Sequence, residues 1–249
     1  MRMLAIDAGN SRIKWGWFDD QRWTGQSWIA SADAGKLGAA LAALPLPDKI
    51  VISNVAGSAV RERIAAALAQ FPAAPRWIRS EARQCGVTSS YDDPAQLGSD
   101  RWAALIGAWH LFRGPCVVVN AGTTMTVDAL SDEGVFVGGF IVPGADLMRE
   151  SLARNTAQLG LPEGRFTYFP DSTADAIMSG VVNALAGAVE RMQRYMEETG
   201  QITPIVVLSG GGAPLLGPHL NARTEVVDNL VLEGLIRIAL GSTPVSGEQ

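Results

Sequence analysis

The chain has 249 residues, a length sufficient to bury a full hydrophobic core. Hydrophobic residues make up 47% of it and charged residues 18%, a composition that excludes intrinsic disorder. The formal net charge is −5 and basic residues form no cluster, so we expect no nucleic-acid partner. Two cysteines are too few for a disulfide framework or a cysteine-rich zinc site, and two histidines argue against an all-nitrogen metal site. The first residues lack the pattern of a signal peptide, and prolines and glycines break the longest uncharged stretch, at 199–222. The sequence therefore predicts a soluble, cytoplasmic protein that does not enter a membrane.

The hydrophobic pattern predicts one α/β unit followed by a second one. In the first unit the predicted strands lie at 3–7, 11–18, 23–30, 49–53 and 76–79, and the predicted helices at 33–44, 58–70 and 99–112. A polar, turn-rich region at 85–98 precedes the third of these helices. In the second unit the predicted strands lie at 116–120, 124–130, 135–142 and 205–208, and the predicted helices at 146–155, 173–198 and 229–240.

The beginnings of the two units repeat each other. Residues 4–11 align without a gap on residues 117–124: each copy has an apolar strand, an Asp or Asn, Ala-Gly, and two small polar residues. Each copy also opens a run of three predicted strands. We interpret the chain as two homologous lobes, with domains at 1–113 and 114–249.

The two repeated turns have the composition of a phosphate-binding site. Gly9 and Gly122 let the backbone approach an anion, and the exposed N–H groups of such a turn can bind phosphate oxygens. Lys14 adds a positive charge if its position on the strand points it inward, and Asp7 adds a carboxylate, which beside phosphates requires a cation such as Mg²⁺ held through water. Further side-chain donors come from Asn10, Ser11, Thr123 and Thr124. The alternative is a pair of ordinary hairpin turns that use glycine for its positive φ.

Two further segments allow a functional and a structural interpretation. Gly210, Gly211 and Gly212 follow a predicted strand and form either a flat shelf for a base or ribose or a flexible connector. Gly98-Ser99 is predicted to open a helix, with Asp100 and Arg101 in its first turn. These two side chains form either a general base with an anion clamp, near Tyr91, or a capping pair on the surface.

Five motifs together resemble a known family. They are IDAGNSRIK at 6–14, YDDPAQLGSDRW at 91–102, NAGTTMTVDA at 120–129, GGFIVPG at 138–144 and SGGG at 209–212. In this order they resemble the acetate and sugar kinase, Hsp70 and actin superfamily, and within it the type III pantothenate kinases. The resemblance implies an α/β fold of two ribonuclease-H-like lobes, duplicated βββαβαβα units, with an ATP cleft between them.

The same resemblance implies the reaction and the site residues. ATP would phosphorylate the primary hydroxyl of pantothenate, the first step of coenzyme A synthesis, with Asp100 as the proton acceptor. The ATP-binding residues would be Asp7, Ala8, Gly9, Asn10, Ser11, Arg12, Ile13, Lys14 and Thr124. The pantothenate-binding residues would be Tyr91, Gly98, Ser99, Asp100, Arg101 and Thr173. The family also implies Mg²⁺, a monovalent cation (K⁺ or NH₄⁺) and a homodimer.

One position departs from the family pattern. The second turn begins with Asn120, where family members carry an aspartate that helps to bind the monovalent cation. An amide oxygen brings no charge, so we expect weak K⁺ dependence or none. Two rival functions stay open at this point: a nucleotide-binding transcription accessory factor without kinase activity, and a related sugar kinase.

The long helix at 173–198 bears on the homodimer. It carries an apolar stripe, and Ala184 and Gly187 lie beside it as small partners. The stripe consists of Ile177, Val181, Leu185, Ala188 and Met192. Burial in the core of the lobe and burial in a dimer interface explain this pattern equally well.

Overall fold

The computed structural model describes residues 1–156, 159, 162–200 and 203–241, which divide into two compact units. The first unit contains Met1–Phe112 and the helix that begins at Leu230, and the second unit is Arg113–Asn229. The division between Phe112 and Arg113 lies next to the predicted domain boundary. The last helix, however, is grouped with the first unit and not with the second, where we had placed it; residues 242–249 of the predicted second domain lie outside the described residues.

The first unit is built on a five-stranded sheet in the order β3-β2-β1-β4-β5. The central strand β1 is fully apolar up to Asp7, as expected for a strand covered on both faces. It pairs antiparallel with β2 and parallel with β4. The five strands are β1 (Met3–Ala8), β2 (Arg12–Asp19), β3 (Arg22–Ala30), β4 (Lys49–Asn54) and β5 (Pro75–Trp77).

Helices cover both faces of this sheet. A 3₁₀ segment (Ser31–Lys36), α1 (Leu37–Leu41) and α2 (Ser58–Leu68) share a core with Ile6, Trp15 and Ile52 on one face. The opposite face is covered by α3 (Ser99–Phe112) and α7 (Leu230–Gly241). The apolar periodicity of α7 shows that one of its faces is buried but does not identify the sheet that buries it, which explains our wrong placement of this helix.

Glycines allow α3 and α7 to approach each other closely. A Cβ on Gly107 would lie 2.7 Å from the Leu230 carbonyl oxygen, and a Cβ on Gly234 would overlap the Ala103 carbonyl. Neither glycine has a positive φ, so both are required for space and not for conformation. The close contact fixes α3, the helix that carries Asp100, on the sheet.

The second unit repeats the strand order of the first. The strands that belong to this unit follow the order β10-β9-β8-β11-β12, which corresponds strand by strand to β3-β2-β1-β4-β5. The long helix α5 packs on one face through Val181, Leu185 and Val189. The strands are β8 (Cys116–Ala121), β9 (Thr124–Leu130), β10 (Val135–Pro143), β11 (Ile205–Ser209) and β12 (Thr224–Val226). The helices are α4 (Ala145–Asn155), α5 (Thr173–Gly200) and α6 (Ala213–Leu216), followed by a 3₁₀ turn (Gly217–His219). The predicted fold class, a mixed α/β fold of two lobes, is confirmed.

Short elements account for most of the differences from the prediction. The polar region at 85–98 contains part of a hairpin of β6 (Arg83–Gln84) and β7 (Val87–Ser89), and a 3₁₀ turn at Pro94–Gln96. The prediction also lacked α6 and β12. The predicted helix at 33–44 is a 3₁₀ segment followed by α1. Within the described part of the chain, no helix combines the length and the apolar character needed to cross a bilayer.

Candidate functional site

Four polar or aromatic side chains form one row across the first sheet. The strand register places Asp7 opposite Lys14 on β2 and opposite Ser53 on β4, and Lys14 opposite Trp28 on β3. Residues that lie directly opposite each other project from the same face of a sheet. The row Ser53–Asp7–Lys14–Trp28 therefore lies on the face that α3 covers. The register answers one question that the sequence left open, because Lys14 projects from the same face as Asp7.

Asp7 is the carboxylate of this row, and its pKa is strongly shifted. Its pKa is raised from 3.8 to about 7; burial is the largest cause, the nearby Asp100 also raises it, and Lys14 opposes the shift. Its Oδ1 atom is buried and has no hydrogen-bond partner among the described residues. A buried, unpaired carboxylate oxygen beside a second carboxylate is a site that a cation would stabilise, and it fits Mg²⁺. In the described residues no three His, Cys, Asp or Glu side chains come together as a metal site, so other ligands would be water and substrate oxygens.

The first turn of α3 holds Asp100. Its Oδ1 atom accepts a hydrogen bond from the Arg101 N–H (2.8 Å), as acceptors at a helix N-terminus do. Burial nevertheless raises the pKa of Asp100, while this bond and the Arg101 cation oppose the shift. Arg101 itself is only 6% exposed. The electrostatic interaction between Asp7 and Asp100 shows that the strand and the helix bring these two carboxylates together.

Gly98 has a spatial role beside Asp100. A Cβ at this position would lie 2.6 Å from Asp100 Oδ1, so any larger side chain would displace the carboxylate. The Gly98 carbonyl also accepts the Trp102 N–H (3.0 Å), the first hydrogen bond of α3, and Ser99 is the first residue of the helix. The glycine of the LGSDR segment thus leaves room for the carboxylate that follows it.

The segment before α3 is held by local hydrogen bonds. The Tyr91 N–H donates to Ser89 Oγ (3.3 Å), and the Tyr91 side chain is half-buried. Asp93 caps the following 3₁₀ turn by accepting the Ala95 N–H (3.0 Å) at Oδ1. Asp93 therefore has a structural function, and Tyr91 stays a candidate substrate contact.

The β1–β2 turn exposes its polar residues. The Gly9 N–H donates to the Arg12 carbonyl (3.0 Å), which closes the turn, while Asn10 and Ser11 are exposed. Arg12 places its guanidinium 4.3 Å from the ring centre of Trp28. Two of the predicted ATP-binding residues, Ala8 and Ile13, are buried and pair with each other at the strand ends, so only their backbone can face a ligand.

The corresponding turn of the second unit is one residue shorter. The Gly122 N–H donates to the Thr124 carbonyl (3.1 Å), so Thr124 occupies the position of Arg12. Our ungapped alignment, which placed Thr124 on Ser11, is therefore wrong beyond Gly122. Asn120 lies opposite Ser209 on β11, in the same way that Asp7 lies opposite Ser53. The repeat thus extends to a serine on the neighbouring strand.

Two glycine motifs pack against this second turn. The Gly144 N–H donates to the Thr123 carbonyl and the Gly212 N–H to the Ala121 carbonyl, each at 2.9 Å. A Cβ on Gly144 would overlap the Gly122 carbonyl, and Gly210 has a φ of +97° beside Asn120. These glycines are needed for close contact with the turn, and a nucleotide shelf at 210–212 stays a prediction.

Thr173 is the first residue of α5. It lines a largely apolar groove of about 600 Å³ between α4 and α5, together with Met148, Leu152 and Ile177. Of the apolar stripe on α5, Val181, Leu185 and Met192 are buried in the core of their own unit. The core interpretation is therefore correct for these three residues; Ala184 and Gly187 are exposed.

Comparison with known proteins identifies the family. A family model described as type III pantothenate kinase matches residues 3–195. A type III pantothenate kinase from Nitrosospira multiformis is 50% identical over 237 residues, which cover 95% of this chain and 90% of the relative. A second one, from Aromatoleum aromaticum, is also 50% identical, over 95% of this chain and 97% of the relative.

Solved structures support the fold. A Campylobacter jejuni protein described in the Baf family of transcriptional activators matches with a TM-score of 0.62 and 20% identity, over 95% of this chain and 97% of that one. Component A of (R)-2-hydroxyglutaryl-CoA dehydratase from Acidaminococcus fermentans matches with a TM-score of 0.56 and 14% identity, over 96% of both chains. At these identities the likeness concerns the fold alone. The family model and the curated relatives, which span nearly the whole chain, show that it belongs to the type III pantothenate kinase family.

Proposed function

We propose that this protein transfers the γ-phosphoryl group of ATP to the primary hydroxyl of pantothenate. A bond forms between the hydroxyl oxygen and the γ-phosphorus, the bond from that phosphorus to the β–γ bridging oxygen breaks, and ADP leaves. The family supports this activity over both rivals, a transcription accessory factor and a sugar kinase. The main support for assigning catalytic and metal-binding roles to particular residues is the Asp7–Asp100 pair, two neighbouring carboxylates with raised pKa values.

Asp100 is the proton acceptor in this proposal. It lies in the first turn of α3, where Gly98 leaves room for its carboxylate and Arg101 is buried beside it. A raised pKa brings a carboxylate closer to the working pH, which favours a general base over an inert anion. The proton of the pantothenate hydroxyl would move to this carboxylate as the new O–P bond forms.

Asp7 and Lys14 act on the phosphates of ATP. The Lys14 ammonium neutralises phosphate charge, and the backbone of 8–13 with the Asn10 and Ser11 side chains provides further donors. Thr124 is the proposed contact from the second turn. Asp7 would hold Mg²⁺ through water, and the ion would supply charge neutralisation on the transferring phosphoryl group.

The segment around Asp100 would bind pantothenate. The substrate carries a carboxylate, and the buried Arg101 guanidinium is the cation on the same helical turn as Asp100. Tyr91, Gly98 and Ser99 complete the proposed contacts. Thr173 would contribute from α5, where it lines the apolar groove.

Three further properties extend the proposal. We expect a monovalent cation, K⁺ or NH₄⁺, to bind near Asn120 only weakly. We expect a homodimer, in which the exposed strip of Gly180, Ala184 and Gly187 on α5 contributes to the interface. We place the enzyme in the cytoplasm, where the thiols of Cys85 and Cys116, both free in the structure, would stay reduced.

The decisive experiment measures ATP turnover by the full chain with pantothenate, with a hexose and without an acceptor. We expect ADP release only with pantothenate, together with formation of a phosphorylated pantothenate. Turnover with the hexose alone would overturn the assignment in favour of a sugar kinase. ATP binding without turnover on any acceptor would favour the non-catalytic alternative.

A further inference from the structure

Three buried serines connect the loops of the proposed site to the first sheet. Ser31 directly follows β3, Ser53 lies on β4 and Ser80 follows β5, and each is at most 7% exposed. None of them belongs to a motif that resembles the family. A buried hydroxyl is costly unless it is hydrogen-bonded, so the partner of each serine indicates its function.

Ser31 spans the β1–β2 turn. Its hydroxyl donates to the Gly9 carbonyl (2.6 Å), and its backbone N–H donates to the Ser11 carbonyl (3.0 Å). The two hydrogen bonds hold the chain on both sides of Asn10, an exposed residue. Ser31 therefore restrains the backbone whose N–H groups would bind the ATP phosphates.

Ser53 and Ser80 hold the start of α3. Ser53 Oγ and Ser99 Oγ are hydrogen-bonded at 2.9 Å, and the Ser80 hydroxyl donates to the Leu97 carbonyl at 2.8 Å. Ser80 Oγ also lies 3.4 Å from the Gly98 carbonyl oxygen. Both serines thus act on the residues that immediately precede Asp100. Because Ser53 lies opposite Asp7 on the neighbouring strand, its bond to Ser99 joins β4, the strand paired with the one that carries Asp7, to the helix that carries Asp100.

We propose that Ser31 is a positioning residue for the ATP phosphates, and that Ser53 and Ser80 are positioning residues for Asp100. The inference rests on the proposed function. The two loops are anchored separately, so their defects should be separable in kinetics. Loss of Ser31 should raise KM for ATP about five- to tenfold with kcat nearly unchanged, the effect of one lost hydrogen bond on binding. Loss of Ser53 or Ser80 should lower kcat about five- to tenfold and leave KM for ATP unchanged.

The test compares Ser31→Ala, Ser53→Ala and Ser80→Ala with Ser131→Ala as a matched control. The Ser131 hydroxyl accepts the N–H groups of Glu133 and Val135 in the β9–β10 turn, at the opposite end of β9 from Thr124. For each variant, kcat, both KM values and the free energy of unfolding are measured. The control should lose stability without a change in kcat or in either KM.

Conservative variants distinguish positioning from folding. Ser31→Thr and Ser80→Thr keep the hydroxyl and should restore the affected constant. Ser53→Cys keeps the shape of the side chain with a small increase in volume but weakens the hydrogen bond, and it should lower kcat even if Ser53→Ala does not fold. Equal changes in kcat and both KM values in all three serine variants would overturn the inference. A wild-type chain that does not phosphorylate pantothenate would instead refute the proposed function.

Discussion

Asp100 is the residue on which the proposed chemistry depends most directly. An asparagine has the same shape and can still accept the Arg101 N–H, so Asp100→Asn should fold normally and bind pantothenate. Without a carboxylate to accept the hydroxyl proton, kcat should fall roughly 10²–10⁴-fold. Steady-state kinetics and isothermal titration with pantothenate test this expectation. Full turnover in this variant would move the role of the base to Asp7.

Asp7 makes the stability of the unliganded protein depend on pH. Its pKa is about 7 in the folded chain against an ordinary value of 3.8, so the folded state binds the proton more tightly. The resulting stabilisation is complete below about pH 4 and is lost as the pH rises through about 7. Without ATP and Mg²⁺, the free energy of unfolding of the wild type should therefore fall from pH 5 to pH 8.

Asp7→Asn should show a smaller decrease over the same range and should be more stable than the wild type at pH 8. Urea unfolding at both pH values measures the difference, and Asp132→Asn in the exposed β9–β10 turn is the control. Parallel pH dependences for Asp7→Asn and the wild type would show that another group is responsible.

Asn120 should determine the response to monovalent cations. A carboxylate at this turn would attract K⁺ by charge, whereas the amide offers only a dipole. We expect half-activation of Asn120→Asp at a lower K⁺ concentration than in the wild type, measured by titrating KCl against initial rate at constant ionic strength. Coincident curves would mean that backbone carbonyls, and not this side chain, set the affinity for the cation.

At the scale of the element, the first turn of α3 depends on Gly98. Gly98→Ala would push a methyl group against the Asp100 carboxylate, which would turn away from its position. We expect kcat to fall at least about tenfold, because small displacements of a reacting group are costly, while the free energy of unfolding changes by less than about 1 kcal/mol. Gly35→Ala, where a Cβ meets nothing within 4 Å, should leave kcat unchanged. An equal kcat in both variants would contradict this role of Gly98.

The long elements could be predicted from the sequence, and the short ones could not. The apolar runs of β1 and β8 and the period-two pattern of β2 gave strands within one residue of their true bounds. The β6–β7 hairpin has strands of two and three residues, too short for any period to show. The length of the second turn was missed for a related reason, because Ala-Gly-Thr-Thr fits a turn of three or four residues equally well.

The candidate site was predictable where its residue types are chemically distinctive. Its charged residues lie in motifs whose composition indicates phosphate or anion binding: Asp7, Lys14, Asp100 and Arg101. The strand register and the electrostatic interactions of Asp7 show that the first three lie close together. The three positioning serines gave no such signal, because serine is common in turns and its hydrogen-bond partners are distant in sequence. Ser53 alone has a counterpart in the repeat, since VIS at 51–53 and VLS at 207–209 occupy corresponding positions on β4 and β11.

At the scale of the whole molecule, the expected homodimer is open to a direct test. Light scattering should give about twice the chain mass of 26.3 kDa at micromolar concentration. Ala184→Arg places a long charged side chain on the exposed strip of α5 and should yield monomers, whereas Glu197→Arg, exposed near the end of the same helix, should not. A mass near that of a single chain for the wild type would refute the dimer.

The place of α7 also determines the order in which the units can be completed during synthesis. The second unit is one continuous segment, 113–229, whereas the first consists of two segments, one before it and one after it in the sequence. The face of the first sheet that carries Ala5 and Gly16 packs against α7. This helix is synthesised only after the entire second unit has been translated. The half of the protein that is synthesised first can therefore be completed only after the other half, and the surface that α7 covers stays exposed until then.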